Sequence, residues 1–205
     1  MDKTPQISLT DTPLYRLTDA LSRWFLVSIL WLVCSLPLVT VGASTKATLM
    51  VFGSGEGDDS IGRRFFRGFR TGFFRITGLW LAGGVLEALL WLDALFYRQI
   101  FGNDSGILTG MVMIIGFFLL NFFRFICYCA GNTGGSVVAL FKKAVWTMLI
   151  CLPAVGIMAA MDLVAVTALV RIPGLLFLII LLPGFFADMH SRLISSFVAR
   201  AVDGQ

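Results

Sequence analysis

Apolar residues fall in long blocks along this chain, and the polar positions between them are few. Five blocks read as membrane helices: residues 24–41, 76–97, 107–129, 144–164 and 172–187. At 1.5 Å per residue, about twenty apolar residues cross a hydrocarbon core of about 30 Å. The later connections are short, which predicts antiparallel neighbours. The pattern predicts an all-α polytopic membrane protein with about five transmembrane helices and additional amphipathic interfacial helices.

Two stretches carry a different pattern. Over residues 12–23, Leu14, Leu17, Leu21 and then Trp24 recur at helical spacing behind Thr12-Pro13, a favourable helix start. This predicts a short surface helix leading into the first block. Residues 53–60, GSGEGDDS, read as a loop in which Asp59 or Ser60 caps the next helix. That helix, residues 61–75, reads IGRRFFRGFRTGFFR. Phe65, Phe66, Phe69 and Phe73 share one sector of about 100°, while Arg63, Arg64, Arg67, Arg70 and Arg75 cluster opposite, with Phe74 the exception. Such a helix lies in the interface, its rings in the acyl boundary and its guanidinium groups among anionic cytoplasmic lipids.

The first block carries two complications. Pro37 predicts a kink near its end, with a half-buried helix carrying Lys46 continuing to Phe52. Residues 24–52 alternatively form a re-entrant element. Val41-Gly42-Ala43 has the small residues of a signal-peptide cleavage site. However, the apolar core exceeds the usual ~7–15 residues and the charges before it balance, so the segment reads as retained.

Composition narrows the class further. The 205 residues are 58% hydrophobic and 14% charged, against roughly 45–50% and 25% in soluble domains. Nearly all of the chain is used by one bundle, which predicts a single integral membrane domain over residues 1–205. The net charge of +4 is modest, and its placement reports orientation, not nucleic-acid binding. Six basic residues lie from Lys46 to Arg75. Arg124, Lys142 and Lys143 follow, then Arg192 and Arg200; the opposite side holds only Arg98 and Arg171. With five spans, the positive-inside rule predicts an external amino terminus and a cytoplasmic carboxyl terminus.

Glu87 is the leading candidate site residue, 12 positions after Arg75 and 11 before Arg98. A carboxylate near the bilayer midplane costs on the order of 2.5–3.5 kcal/mol even on lenient scales, so it is expected to face the bundle, paired or protonated. Asn121 and Arg124 share a face of the third span. Arg124 either reaches toward Glu87, across roughly 10 Å of depth, or snorkels to the headgroups. Asp93 and Asp162 are expected to pair with Arg98 and Arg171 near the outer surface. Cys127 and Cys129 point about 200° apart on a helix and chelate poorly, and His190 has no second histidine for a zinc site. No metal or cofactor is expected. Gly102, Gly106 and Gly110 permit close helix packing. No nucleophile elbow, phosphate loop or metalloprotease motif is present, so an enzyme is not expected. A short echo links Cys34-Ser35-Leu36-Pro37 to Cys151-Leu152-Pro153, and a basic amphipathic lead-in precedes both the second and the fourth span (FFRGFR and ALFKKAVW); over so few residues in so apolar a chain it reads as chance.

The stretch Leu30-Trp31-Leu32-Val33-Cys34-Ser35-Leu36-Pro37-Leu38-Val39-Thr40-Val41-Gly42-Ala43 resembles the YesL-like family of bacterial integral membrane proteins, a family of unknown function. The resemblance extends through the Arg/Phe-rich segment from Phe65 to Phe74. It also includes the closing pattern Leu182-Pro183-Gly184-Phe185-Phe186 with Ser195-Ser196-Phe197. It implies a plasma-membrane protein encoded near carbohydrate-uptake and polysaccharide-utilisation genes. The expected role is an accessory or assembly subunit beside a sugar-importer permease or another membrane protein. A small transporter or channel built on Glu87, as a homo-oligomer or alone, is the competing expectation.

Overall fold

Pro37 decides the shape of the first apolar block. In the computed structural model, which describes residues 13–53, 59–102, 106–132, 136–171 and 181–203, helix α1 (Pro13–Ser35) stops two residues short of it. Proline has no N–H to donate and disfavours helical backbone in the residue before it. A 3₁₀ turn (Leu38–Thr40) follows, and α2 (Val41–Gly53) runs back along α1. The reversal is visible in the hydrogen bond from Trp31 Nε1 to Thr45 Oγ1 (3.2 Å), which joins positions equally far from the break. Residues 24–41 are therefore not one kinked span. The surface segment predicted over 12–23 is, from Pro13 onward, the opening of α1 itself.

Helix α3 (Ile61–Arg70) and helix α4 (Phe73–Phe101) divide the segment predicted as one helix over 61–75. Gly72 sits between them with φ 65°, a left-handed conformation that favours glycine. The Phe face of α3 also differs from expectation. Phe65 is fully buried, packed with Val27, Ala47 and Val51, and Phe69 is partly buried against the same cluster, whereas Phe66 is exposed, so only part of this face closes over protein. Gly68 makes the approach possible: a Cβ there would stand 3.2 Å from the Ala47 Cα. Ser60 occupies the N-cap position without a side-chain cap.

Helices α4 and α5 (Gly106–Asn132) form a long antiparallel hairpin. Trp80 stacks against Phe123 and Glu87 packs on Gly116, which fixes the register. The fourth predicted span is broken. Helix α6 (Val137–Ile150) and helix α7 (Leu152–Arg171) meet at Cys151 with a bend of 84°. Pro153 explains the break, because a continuous helix would drive its ring into the Leu149 carbonyl. Of the fifth predicted span, residues 172–180 lie outside the described residues. The remainder opens helix α8 (Leu182–Asp203), which continues well past residue 187.

Among the described residues there is no strand. Three helical segments are long and apolar enough to cross a membrane: Leu17–Ser35, Phe73–Phe101 and Gly106–Gly131, with the bent α6–α7 pair a fourth if counted as one span. The centre of the body is α2, which α1, α3, α4, α5 and α8 all contact. Its residues Gly42, Ala43, Ser44, Lys46, Ala47, Thr48, Leu49 and Val51 are buried. Small side chains dominate that set and let five neighbours approach one short helix.

Candidate functional site

Polar groups inside this body fall into four sets. The first is the Leu36-Pro37-Leu38-Val39-Thr40-Val41-Gly42 turn. Ending α1 leaves carbonyls without helical partners, and in hydrocarbon such groups must be satisfied by protein. The Thr40 hydroxyl lies within hydrogen-bonding distance of the Cys34 and Pro37 carbonyls. Thr40 N–H donates to Pro37 O (2.8 Å), and Trp80 Nε1 donates to Leu38 O (2.9 Å). Gly42 then passes so close to α4 that a Cβ would lie 2.6 Å from Trp80 Cβ.

The second set is Lys46, only 1% exposed on the central helix. Its Nζ donates to the Thr71 carbonyl at the end of α3. Arg64 donates to Val51 O at 2.6 Å. These two cations tie α2 to α3, so Arg64 is not available to lipid as the sequence pattern suggested. Arg63 (3.2 Å) and Arg67 (2.6 Å) both pair with Asp59 while remaining exposed, Arg70 is exposed, and Arg75 is half-buried.

The third set joins α5, α7 and α8. Arg124 forms an ion pair with Asp162, and His190 Nε2 lies 3.9 Å from the other Asp162 oxygen. Asp162 is therefore held by Arg124 and not by Arg171, and Arg124 faces away from the expected Glu87 contact. Asp93 and Arg98 form no ion pair with each other; both are exposed. Two residues before His190, buried Asp188 accepts from Trp24 Nε1 (2.9 Å) and Arg192 Nε (2.7 Å), anchoring α8 to α1. Ser28 completes that anchor: its hydroxyl donates to Leu181 O (3.2 Å) and accepts from Gly184 N–H (2.7 Å).

The fourth set is Glu87. One carboxyl oxygen packs on Gly116, where a Cβ would come within 2.6 Å of it. The other is buried and, among the described residues, has no hydrogen-bond partner. Glu87 lines an apolar groove of about 330 Å³ between α4 and α5, whose other walls include Trp80, Gly83, Leu119, Ile126 and Phe141 of α6. Asn121 lies elsewhere. In the hairpin register it is five residues from Gly116, about 7 Å along the helix. Its Nδ2 donates to Phe117 O (3.0 Å), leaving Oδ1 buried and unpartnered. Glu87, Asn121 and Arg124 thus do not form one constellation. Sequence reasoning missed Asp162 as the partner of Arg124, with His190 beside the same carboxylate, because nothing local in the chain signals a contact across 38 residues.

These features define a polytopic α-helical membrane protein with a helix–turn–helix element at its centre. Within that class, residues 24–94 match the family described as "Protein of unknown function, DUF624". The matched segment runs from α1 through most of α4 and contains the Thr40 turn, Lys46, α3 and Glu87. No curated protein and no solved structure matches the chain.

Proposed function

We propose that this protein is a non-catalytic accessory or assembly subunit of a carbohydrate-uptake system in the bacterial plasma membrane. The observation that carries this reading is how its polar chemistry is used. Lys46, Arg64, Trp24, Trp80, Ser28, Thr40, Arg124 and Asp188 are all engaged in bonds that hold helix to helix or close a turn. What remains outward is an apolar hairpin, α4–α5, with Leu81, Val85, Leu89, Leu92, Ile114 and Phe118 exposed. Lipid or the flank of another membrane protein is the natural neighbour of that surface. The carbohydrate context rests on the family resemblance in residues 30–43 and in the closing pattern.

Affinity purification of the tagged protein from native membranes in mild detergent tests the reading. A sugar-importer permease recovered in stoichiometric amount supports it; recovery of the protein alone counts against it.

Glu87 favours a second reading, a small transporter or channel. A buried carboxyl oxygen without a partner among the described residues, in the lining of a groove, is the arrangement expected of a proton or solute site. If Glu87→Gln leaves uptake of every tested solute unchanged in reconstituted vesicles, that reading fails.

A further inference from the structure

We infer that α1 and α2 form a re-entrant hairpin, entered and left from the membrane face on which α3 lies, so that this face gathers the start of α1, α3 and the end of α8 into one basic surface for anionic phospholipid headgroups. Helix α2 has 13 residues, about 20 Å of rise, which is too short for a core of about 30 Å. Both arms of the hairpin meet α3 at their polar ends. Asp19, Ser22 and Arg23 of α1 line a cleft with Asp59, Ser60 and Arg64 of the α3 start, while Val51 of α2 accepts from Arg64.

The tip is fixed in depth by α4. Leu38 O is bonded to Trp80, seven residues after Phe73, so the turn lies about 10 Å along α4, which continues for about 30 Å more. A chain reversing there is inside hydrocarbon, which accounts for the turn carbonyls being met by Thr40 and Trp80. Helix α8 then carries the chain back toward the α3 face: Gly184 packs on Trp24 and Ser28, and Ser191 lies against Gly53 at the end of α2.

This arrangement differs from the five-span orientation, which puts the amino terminus opposite α3. On the inferred face Arg63, Arg67 and Arg70 are exposed. Arg63 and Arg67 share the one carboxylate of Asp59, so with Arg70 the cluster keeps a net positive charge toward an anionic surface.

Single-cysteine insertion into the full-length protein in sealed, right-side-out membranes tests the inference, using a membrane-impermeant maleimide before and after permeabilisation. The unsubstituted protein, whose Cys127, Cys129 and Cys151 are buried and Cys34 half-buried, sets the background. Tyr15→Cys, Arg70→Cys and Ser196→Cys are expected to share one sidedness, labelling only after permeabilisation. Gln99→Cys is expected to label before it. Ser22→Cys repeats the α1 measurement should Tyr15→Cys fail to accumulate. Labelling of the α1 positions from the side opposite Arg70→Cys overturns the hairpin. With the hairpin supported, co-sedimentation of purified protein in vesicles of zwitterionic or mixed anionic lipid tests the surface, comparing wild type with Arg63→Gln/Arg67→Gln/Arg70→Gln. Retention of anionic lipid in excess over the bulk composition, lost in the triple variant, supports it. Equal retention by both proteins overturns it.

Discussion

At Gly42 the helices leave no room for a side chain, whereas Gly78, on the next helix, has nothing within 4 Å of where a Cβ would stand. The two positions make a controlled comparison. Gly42→Ala forces α2 away from Trp80, a backbone-level displacement of the overpacking kind that costs about 1–3 kcal/mol. Gly78→Ala is expected to stay within about 0.5 kcal/mol of wild type. Thermal unfolding in detergent separates the two. His190 supplies a second residue-scale prediction, this one in pH. Burial and the nearby Arg124 guanidinium push its pKa from the ordinary 6.5 down to about 3. Between those values the unfolded chain holds a proton that the folded chain lacks, so acid favours unfolding. Stability from this group is complete above about pH 6.5 and falls as pH drops toward 3, with a limiting slope of about 1.4 kcal/mol per pH unit. Unfolding midpoints at pH 7 and pH 5 should differ in wild type, and His190→Gln should flatten that difference.

Elements here are held by bonds that only a dry interior makes necessary. Removing the Thr40 hydroxyl leaves the Cys34 carbonyl without that donor, while Pro37 O keeps the Thr40 N–H, so Thr40→Val should destabilise by about 1–3 kcal/mol. Thr40→Ser, which keeps the hydroxyl, should remain close to wild type; the same detergent unfolding assay reads both. Arg124 and Asp162 join α5 to α7 at partial exposure, 30% and 17% of their side chains. Loss of either partner leaves an uncompensated charge, and the cost should fall below the 3–5 kcal/mol of a fully buried pair. The double variant Arg124→Gln/Asp162→Asn should be less damaged than the sum of the single variants, a coupling that a double-mutant cycle measures directly.

At this scale the limits of sequence reading are also clear. The α4–α5 pair was legible because its apolar blocks are long and uninterrupted. The breaks at Pro37 and Pro153 were visible as prolines, but hydropathy averages across a turn when the flanking residues are apolar, so two helices read as one. Glu87 and Arg124 stood out as charges at depth. That Arg124 and His190 both lie against Asp162 depends on how α7 and α8 fold against α5, and no periodicity encodes it. The Phe sector read over residues 61–75 is divided in the fold, with Phe65 buried, Phe66 exposed and Phe73 opening α4. What covers Phe65 depends on α2, whose weak amphipathicity gave no sign that it lies at the centre.

For the whole molecule, α2 is the natural last element to open. It is enclosed by five helices and tied through Lys46 and Arg64 to α3. α6 buries only Leu140, Ala144 and Thr147 along its length. Hydrogen exchange in detergent should therefore show α2 amides exchanging more slowly than those of α6, since protection follows local enclosure. Equal exchange would mean that α2 is not the organising centre.

The stopping depth of the α1–α2 turn also bears on the bilayer itself. On the inferred hairpin, α1, α2, α3 and the end of α8 lie toward one face and α4–α5 extend beyond them, so this group of helices is broader in one leaflet than in the other. Such a tapered inclusion displaces unequal lipid area on the two sides. Its free energy then depends on the bending of the surrounding sheet, which makes membrane curvature a variable to which this protein responds.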